Sequence, residues 1–344
     1  MKLLLEIFGL FAIIANIKHV SCNCTDPSAI FPCTGCEQNI ISCIGETFVD
    51  LDAIFTKLSK TLTPEQKHFK LFYFGNHNNT KLTANLFQDI LFENIEFFDS
   101  ALTEIHPDAF GQNYYYTKLF NFWNDWSLPP RVLLDVAMRF EVAEKVRLCG
   151  ANLTGLDGDV FRQDRGFQKL NGNIFSHLTT LTYLSFWNND LIYIGDNAFA
   201  MDEPSNLTLY IELRDNQHLT PSSFARNSLI GINRPTKIDL SNSQAISKIT
   251  YFPEDVFWPF FAANPLNEIR YFDSTNFDCQ DCKSYWLKQR ALFKLWAFPF
   301  MKVWCLMLTP RRTCAQGGQH GNPGTFVIGV VEISFSNTMI ICAD

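Results

Sequence analysis

The side chains able to do chemistry in this 344-residue chain are eleven cysteines, seven histidines and thirty-five acidic residues. Two pairs have the C-x-x-C spacing that chelates zinc or exchanges disulfides: Cys33 with Cys36, and Cys279 with Cys282. They lie far apart, without a neighbouring zinc-knuckle or βαβ pattern, so the residues favour structural disulfides over metal or redox chemistry. The histidines (His19, His68, His77, His106, His177, His218 and His320) form no H-x-H or H-E-x-x-H arrangement. G-x-S-x-G, a phosphate-cradling glycine loop and a kinase-like set are likewise missing from the sequence. The expectation is a protein without catalytic residues, metal or cofactor, and not an enzyme.

The compartment follows from the first residues. Lys2 precedes an apolar run, Leu3 to Ala15, that is too short to span a bilayer. Val20 and Cys22 suit cleavage before Asn23, with Ala15 a second cleavage point, so residues 1–22 read as a signal peptide. The mature chain is expected to be secreted and extracellular, where cysteines pair. Sequons at Asn23, Asn78, Asn152 and Asn206 fit a glycoprotein. Net charge is −7 and the isoelectric point near 5.5, which argues against nucleic acid or an anionic membrane as partner. No second spanning segment is expected. A lipid (GPI) anchor after Gly317-Gly318 is the alternative, for a recognition or adhesion ectodomain, and Glu332 in the tail opposes it.

An internal repeat organises the middle of the chain. Three segments superimpose without a gap: Ile95-x-Phe97-x-x-Ser100-x-Leu102, Val146-x-Leu148-x-x-Ala151-x-Leu153 and Leu184-x-Phe186-x-x-Asn189-x-Leu191. They close on Phe110, Phe161 and Phe199, and looser copies start at Leu71, Phe120, Ile211, Ile238 and Ile269. Steps between starts are 24, 25, 26, 38, 27, 27 and 31 residues, the long one implying an insertion around 162–173. This is the L-x-L-x-x-N-x-L pattern of leucine-rich repeats. Alternating apolar residues give a short strand with one buried face, and the Asn slot turns the chain out of it. That slot holds Asn76, Ser100, Asp125, Ala151, Asn189, Asn216, Ser243 and Ser274. The expected fold is α/β: a leucine-rich-repeat solenoid, a horseshoe with a parallel concave sheet, over residues 67–275.

Such a stack exposes its core at both ends unless something covers it. Residues 23–66 carry Cys24, Cys33, Cys36 and Cys43 and then an amphipathic helix from Asp50 to about Leu62, with Leu51, Ile54, Phe55 and Leu58 on one side. Residues 276–344 carry Cys279, Cys282, Cys305, Cys314 and Cys342 as further disulfide candidates. Asn276-Phe277-Asp278-Cys279-Gln280-Asp281-Cys282, running into Tyr285-Trp286-Leu287, resembles the opening of C-terminal leucine-rich-repeat caps, lacking one Pro and with one extra residue between the cysteines.

The capped, Phe-closed array resembles the family of secreted arthropod leucine-rich-repeat proteins that includes the non-catalytic subunit of a luciferin 2-monooxygenase. The resemblance runs from about Cys24 to Cys314, and the tail from Ala315 departs from it. It implies a glycosylated, non-catalytic scaffold that binds or stabilises another protein. It also implies pairing Cys24 with Cys36 and Cys33 with Cys43, whereas four cysteines alone allow three connectivities. For the C-terminal set it favours Cys279 with Cys305, and Cys282 with Cys314 or Cys342.

Cys149 remains outside both sets, and the odd count makes it the candidate for an intermolecular disulfide to a partner. It falls in a column expected to face solvent on the sheet: Phe74, Phe98, Trp123, Cys149, Trp187, Arg214, Ser241 and Phe272. The next column reads Gly75, Asp99, Asn124, Gly150, Asn188, Asp215, Asn242 and Asp273. An aromatic stripe (Phe74, Phe98, Trp123, Trp187 and Phe272, continued by Arg214) with an acidic rim (Asp99, Asp215, Asp273) marks a protein-binding concave face. The assignment depends on register, because a slip by one residue reverses the faces. Replacing Trp123 and Trp187 by Ala is expected to weaken binding and leave melting nearly unchanged.

Overall fold

The computed structural model describes residues 27–124, 127–150, 155–156, 175–243, 247–271, 282–284, 286–287 and 295–296. Outside them lie the signal segment, Asn23, Cys24, Asn152, the insertion around 162–173, Phe272, Asp273, Cys279, Cys305, Cys314 and Cys342. The strands are β1 Ile40–Gly45, β2 His68–Asn76, β3 Lys81–Leu82, β4 Leu91–Phe98, β5 Glu104–Ile105, β6 Leu119–Trp123 and β7 Lys145–Cys149. They continue with β8 Gly155–Leu156, β9 Tyr183–Ser185, β10 Tyr193–Ile194, β11 Leu209–Glu212, β12 Thr236–Asp239, β13 Glu268–Arg270 and β14 Leu295–Trp296. Three α-helices are described: α1 Leu51–Thr61, α2 Pro130–Ala137 and α3 Glu254–Ala263.

Ten strands form one sheet in the order β1-β2-β4-β6-β7-β9-β11-β12-β13-β14. Every neighbouring pair is parallel. Strand order equals chain order, so each strand is followed by a return crossover and the chain advances one strand per coil. On four of these returns lie short strands that pair between coils, β3 with β5 and β8 with β10, also in parallel. The protein is thus α/β, built on a large parallel sheet.

The register shows why apolar residues recur as they do. Ile95, Phe120, Val146, Leu184, Ile211, Ile238 and Ile269 stand opposite one another across successive strands. Each is at most 1% exposed. The row two residues on is Phe74, Phe97, Phe122 and Leu148, all without exposed surface. Its rings meet at 5.7 Å (Phe74–Phe97) and 5.2 Å (Phe97–Phe122). Burying each such side chain is worth about 1.5–3 kcal/mol before chain entropy opposes it. These rows hold four of the phenylalanines, Phe74, Phe97, Phe120 and Phe122.

One strand departs from the expected register. Phe72, not Leu71, opposes Ile95, and Phe74 opposes Phe97. Phe74 is therefore core, and the sheet-face residues of β2 are Leu71, Tyr73 and Gly75. The cause is local: Leu71-Phe72-Tyr73-Phe74 is a continuous apolar run in which no polar residue marks the outer face.

At the N-terminal end, Cys33 and Cys43 are bridged and Cys36 is also disulfide-bonded. Helix α1 starts at Asp50, whose Oδ1 accepts from Ala53 N at 2.9 Å. Its buried face is Leu51, Ile54, Phe55 and Leu58. Phe55 meets Phe87 at 4.8 Å and Phe72 at 5.7 Å, which covers the first coil. Toward the other end, α3 buries Val256, Phe257, Phe260 and Phe261. Trp286 is buried and donates Nε1–H to Phe252 O at 2.8 Å. Among the described residues no helix is long and apolar enough to cross a membrane.

Candidate interaction surface

The side chains that alternate with the core rows stand on the open face of the sheet. One row is Tyr73, Glu96, Asn121, Arg147, Ser185, Glu212, Asp239 and Arg270. The row beside it contains Phe98, Trp123 and Cys149, in register. Trp187 and Arg214 follow two residues beyond Ser185 and Glu212.

The first strands carry a chain of half-buried rings. Tyr73 stacks on Phe98 at 6.5 Å, Phe98 meets Trp123 at 4.5 Å, and Trp123 meets Trp187 at 6.4 Å. Tyr73 belongs to this stripe in place of Phe74, and sequence reading missed it because it followed the shifted register. Gly75 lies between Ile44, which is 64% exposed, and Phe98, so the apolar surface continues onto β1.

The later strands carry a polar, self-neutralised field. Tyr183 Oη donates to Glu212 Oε2 at 2.6 Å, joined by Ser185 Oγ at 2.7 Å. Tyr210 Oη donates to Asp239 Oδ2 at 2.6 Å, and the two phenol rings stack at 5.3 Å. Arg214 pairs with Glu212 at 3.7 Å, and Lys237 and Arg270 both pair with Glu268 at 3.1 Å. Burial, then the adjoining carboxylates Glu212 and Asp239, push both phenols far above the ordinary tyrosine value.

Cys149 is buried without accessible surface, its Sγ 3.5 Å from Ser185 Oγ. An intermolecular disulfide needs a thiol a partner can reach, so this placement corrects the expectation of a bridge from Cys149.

In the acidic rim, Asp215 is corrected, Asp99 is exposed as expected, and Asp273 lies outside the described residues. Asp99, Asn124, Gly150, Asn188 and Asp215 all have left-handed backbone, with φ of 48°, 56°, 57°, 52° and 58°. Each donates its N–H to the carbonyl of the preceding-row residue in the next coil: Trp123, Cys149, Trp187, Arg214 and Ser241, at 2.9–3.0 Å. Tolerance of positive φ accounts for the Asp, Asn and Gly found in this column. Asp215 is only 1% exposed; it accepts from Trp187 Nε1 at 2.7 Å and from Ser243 Oγ at 2.9 Å. Asp99 alone of the described rim acids presents its carboxylate to solvent, with 58% of the side chain exposed.

Beyond that column the amide slot works as anticipated where Asn is present. Asn189 Nδ2 donates to Leu148 O at 2.7 Å, and Asn216 Nδ2 to Phe186 O at 2.9 Å, each reaching back to the previous coil. Asn78 and Asn206 are exposed, as carbohydrate attachment requires. Among the described residues no group of three or more His, Cys, Asp or Glu is placed to hold a metal ion.

No protein-family model matches the sequence, and a search of curated proteins finds no match. A search of solved structures returns a chain from an octameric complex of Latrophilin 3, Unc5D and FLRT2, the last with its leucine-rich-repeat region. The TM-score is 0.31 at 13% identity, covering 79% of this chain and 92% of that chain.

Proposed function

We propose that this is a secreted, extracellular leucine-rich-repeat protein whose open sheet face binds another protein, as a non-catalytic binding or stabilising subunit. The observation that carries the reading is the continuous stripe Tyr73–Phe98–Trp123–Trp187, left half-buried on a rigid parallel sheet. Rigid aromatic rings at low entropy cost are the usual anchors of protein interfaces. Trp187 also bonds the buried Asp215, whereas Tyr73, Phe98 and Trp123 are not needed to complete the core rows on the other face. The repeat reading is supported by one strand per coil of 23–27 residues over most of the sheet and by the Asn amides that bond between coils. Leader, disulfide-bonded cysteines and exposed sequons support the secretory route.

The test is capture of the partner from the native extracellular fluid by immobilised wild-type chain, and by a Phe98→Ala/Trp123→Ala variant. Loss of two anchors should weaken binding on the order of a hundredfold, about tenfold each at 1.4 kcal/mol. Thermal melting of the variant reports whether the loss is one of folding.

A further inference from the structure

Among the described acids of the sheet-face row, Glu96 alone has a single hydrogen bond and no cationic partner. Glu212 has Arg214, and Glu268 has Lys237 and Arg270. Asp239 takes the Tyr210 phenol and Asp215 takes Trp187 and Ser243. Glu96 has one hydrogen bond, from Asn121 Nδ2 to its Oε2 at 3.0 Å, and no Lys or Arg pairs with it among the described residues. It stands directly across from Tyr73 in the register and two residues before Phe98. Its charge and burial together push the Tyr73 phenol above its ordinary value, burial being the larger cause. The carboxylate thus stands beside Tyr73, whose ring stacks on Phe98, and the neighbouring strand β1 exposes Ile44. Asp99 adds a second exposed carboxylate one residue past Phe98.

We propose that this patch receives a lysine or arginine side chain of the partner protein, the aliphatic stem lying across Tyr73 and Phe98 and the cationic head pairing with Glu96. The proposal rests on the reading of the sheet face as a protein-binding surface and names the chemistry recognised there. The combination suits such a guest: aromatic faces attract the cation, the methylene stem covers ring carbon, and the carboxylate supplies the counter-charge. An aliphatic guest would bury Glu96 unpaired, which is costly.

The experiment uses the full secreted chain and a fluorescent peptide of alternating glycine and arginine, its lysine counterpart, and a citrulline counterpart that keeps shape without charge. Fluorescence anisotropy should show the two cationic peptides binding at least tenfold more tightly than the citrulline peptide. Glu96→Gln should erase most of that preference. Glu203→Gln, the same charge change at an exposed position elsewhere, should leave it within twofold. Equal affinity for charged and citrulline peptides, or equal loss in both variants, overturns the proposal. Should the natural partner be lost from Phe98→Ala/Trp123→Ala but fully retained by Glu96→Gln, the binding face stands and this assignment falls.

Discussion

The Trp187 indole donates Nε1–H to Asp215 Oδ2 at 2.7 Å, and that carboxylate also receives Ser243 Oγ at 2.9 Å from the following coil. A single buried acid therefore ties together three consecutive coils, and one of its donors is a residue of the aromatic stripe. Trp187 thus takes part in a bond that joins coils, whereas Trp123 has no such bond to a carboxylate among the described residues.

The consequence is separable. Trp187→Phe keeps a ring on the face but removes a hydrogen bond to a buried charged acceptor, at a cost of about 1–3 kcal/mol. Trp123→Phe should cost less than half as much. Urea denaturation of both variants measures it, and equal midpoints would count against the assignment. This replaces the sequence-based expectation that both tryptophans can be truncated without effect on melting.

The left-handed column gives a second prediction. Asn188→Gly should be tolerated within a few tenths of a kcal/mol, while Asn188→Val should destabilise by about 1–3 kcal/mol, because a β-branched side chain resists positive φ. Gly150→Ala should also destabilise, since the new Cβ would sit 2.6 Å from Asn124 Oδ1 at a φ of 57°. Denaturation midpoints decide; a harmless Asn188→Val would return the column to a role in recognition.

The Cys149 thiol should be unreactive in the native protein. With no accessible surface, it should label with a maleimide only after unfolding, as read by peptide mapping of the blocked chain. Rapid native labelling would restore it as a bridge candidate.

Alkaline pH probes the polar half of the face. Tyr183 and Tyr210 hold phenols raised above the unfolded value of about 10 by burial and by Glu212 and Asp239. A raised folded value means the stabilisation is complete below pH about 10 and is lost as pH climbs above it, by up to about 1.4 kcal/mol per pH unit for each phenol. Urea denaturation from pH about 9 to 11.5 should show the decline, and because Tyr114 and Tyr73 are raised as well, Tyr210→Phe should lower its slope by roughly a quarter to a third. An unchanged slope in that variant would contradict the assignment.

Much of the fold is legible in the residues because the sheet alternates. Ile95-Glu96-Phe97 and Val146-Arg147-Leu148 mark both faces with a polar residue between apolar ones, and those rows align as read. The Phe74 error arose where this marker is missing, in Leu71 to Phe74. The stripe itself was legible at Phe98, Trp123 and Trp187; Tyr73 was not, for want of register. Asp215 of the acidic rim was misread because Asp and Asn report backbone conformation as readily as charge, and only φ tells the two apart. Glu96 carries no motif, since its lack of a cation among the described residues is a property of three-dimensional neighbours.

The most direct test of the central claim is quantitative capture from native extracellular fluid on immobilised chain. Three proteins would be compared: wild type, Phe98→Ala/Trp123→Ala, and Leu266→Ser at an exposed residue off the sheet face. The account predicts a polypeptide held equally by wild type and Leu266→Ser, and lost from the double variant while that variant melts normally. Retention by the well-folded double variant, or equal loss from Leu266→Ser, would contradict it.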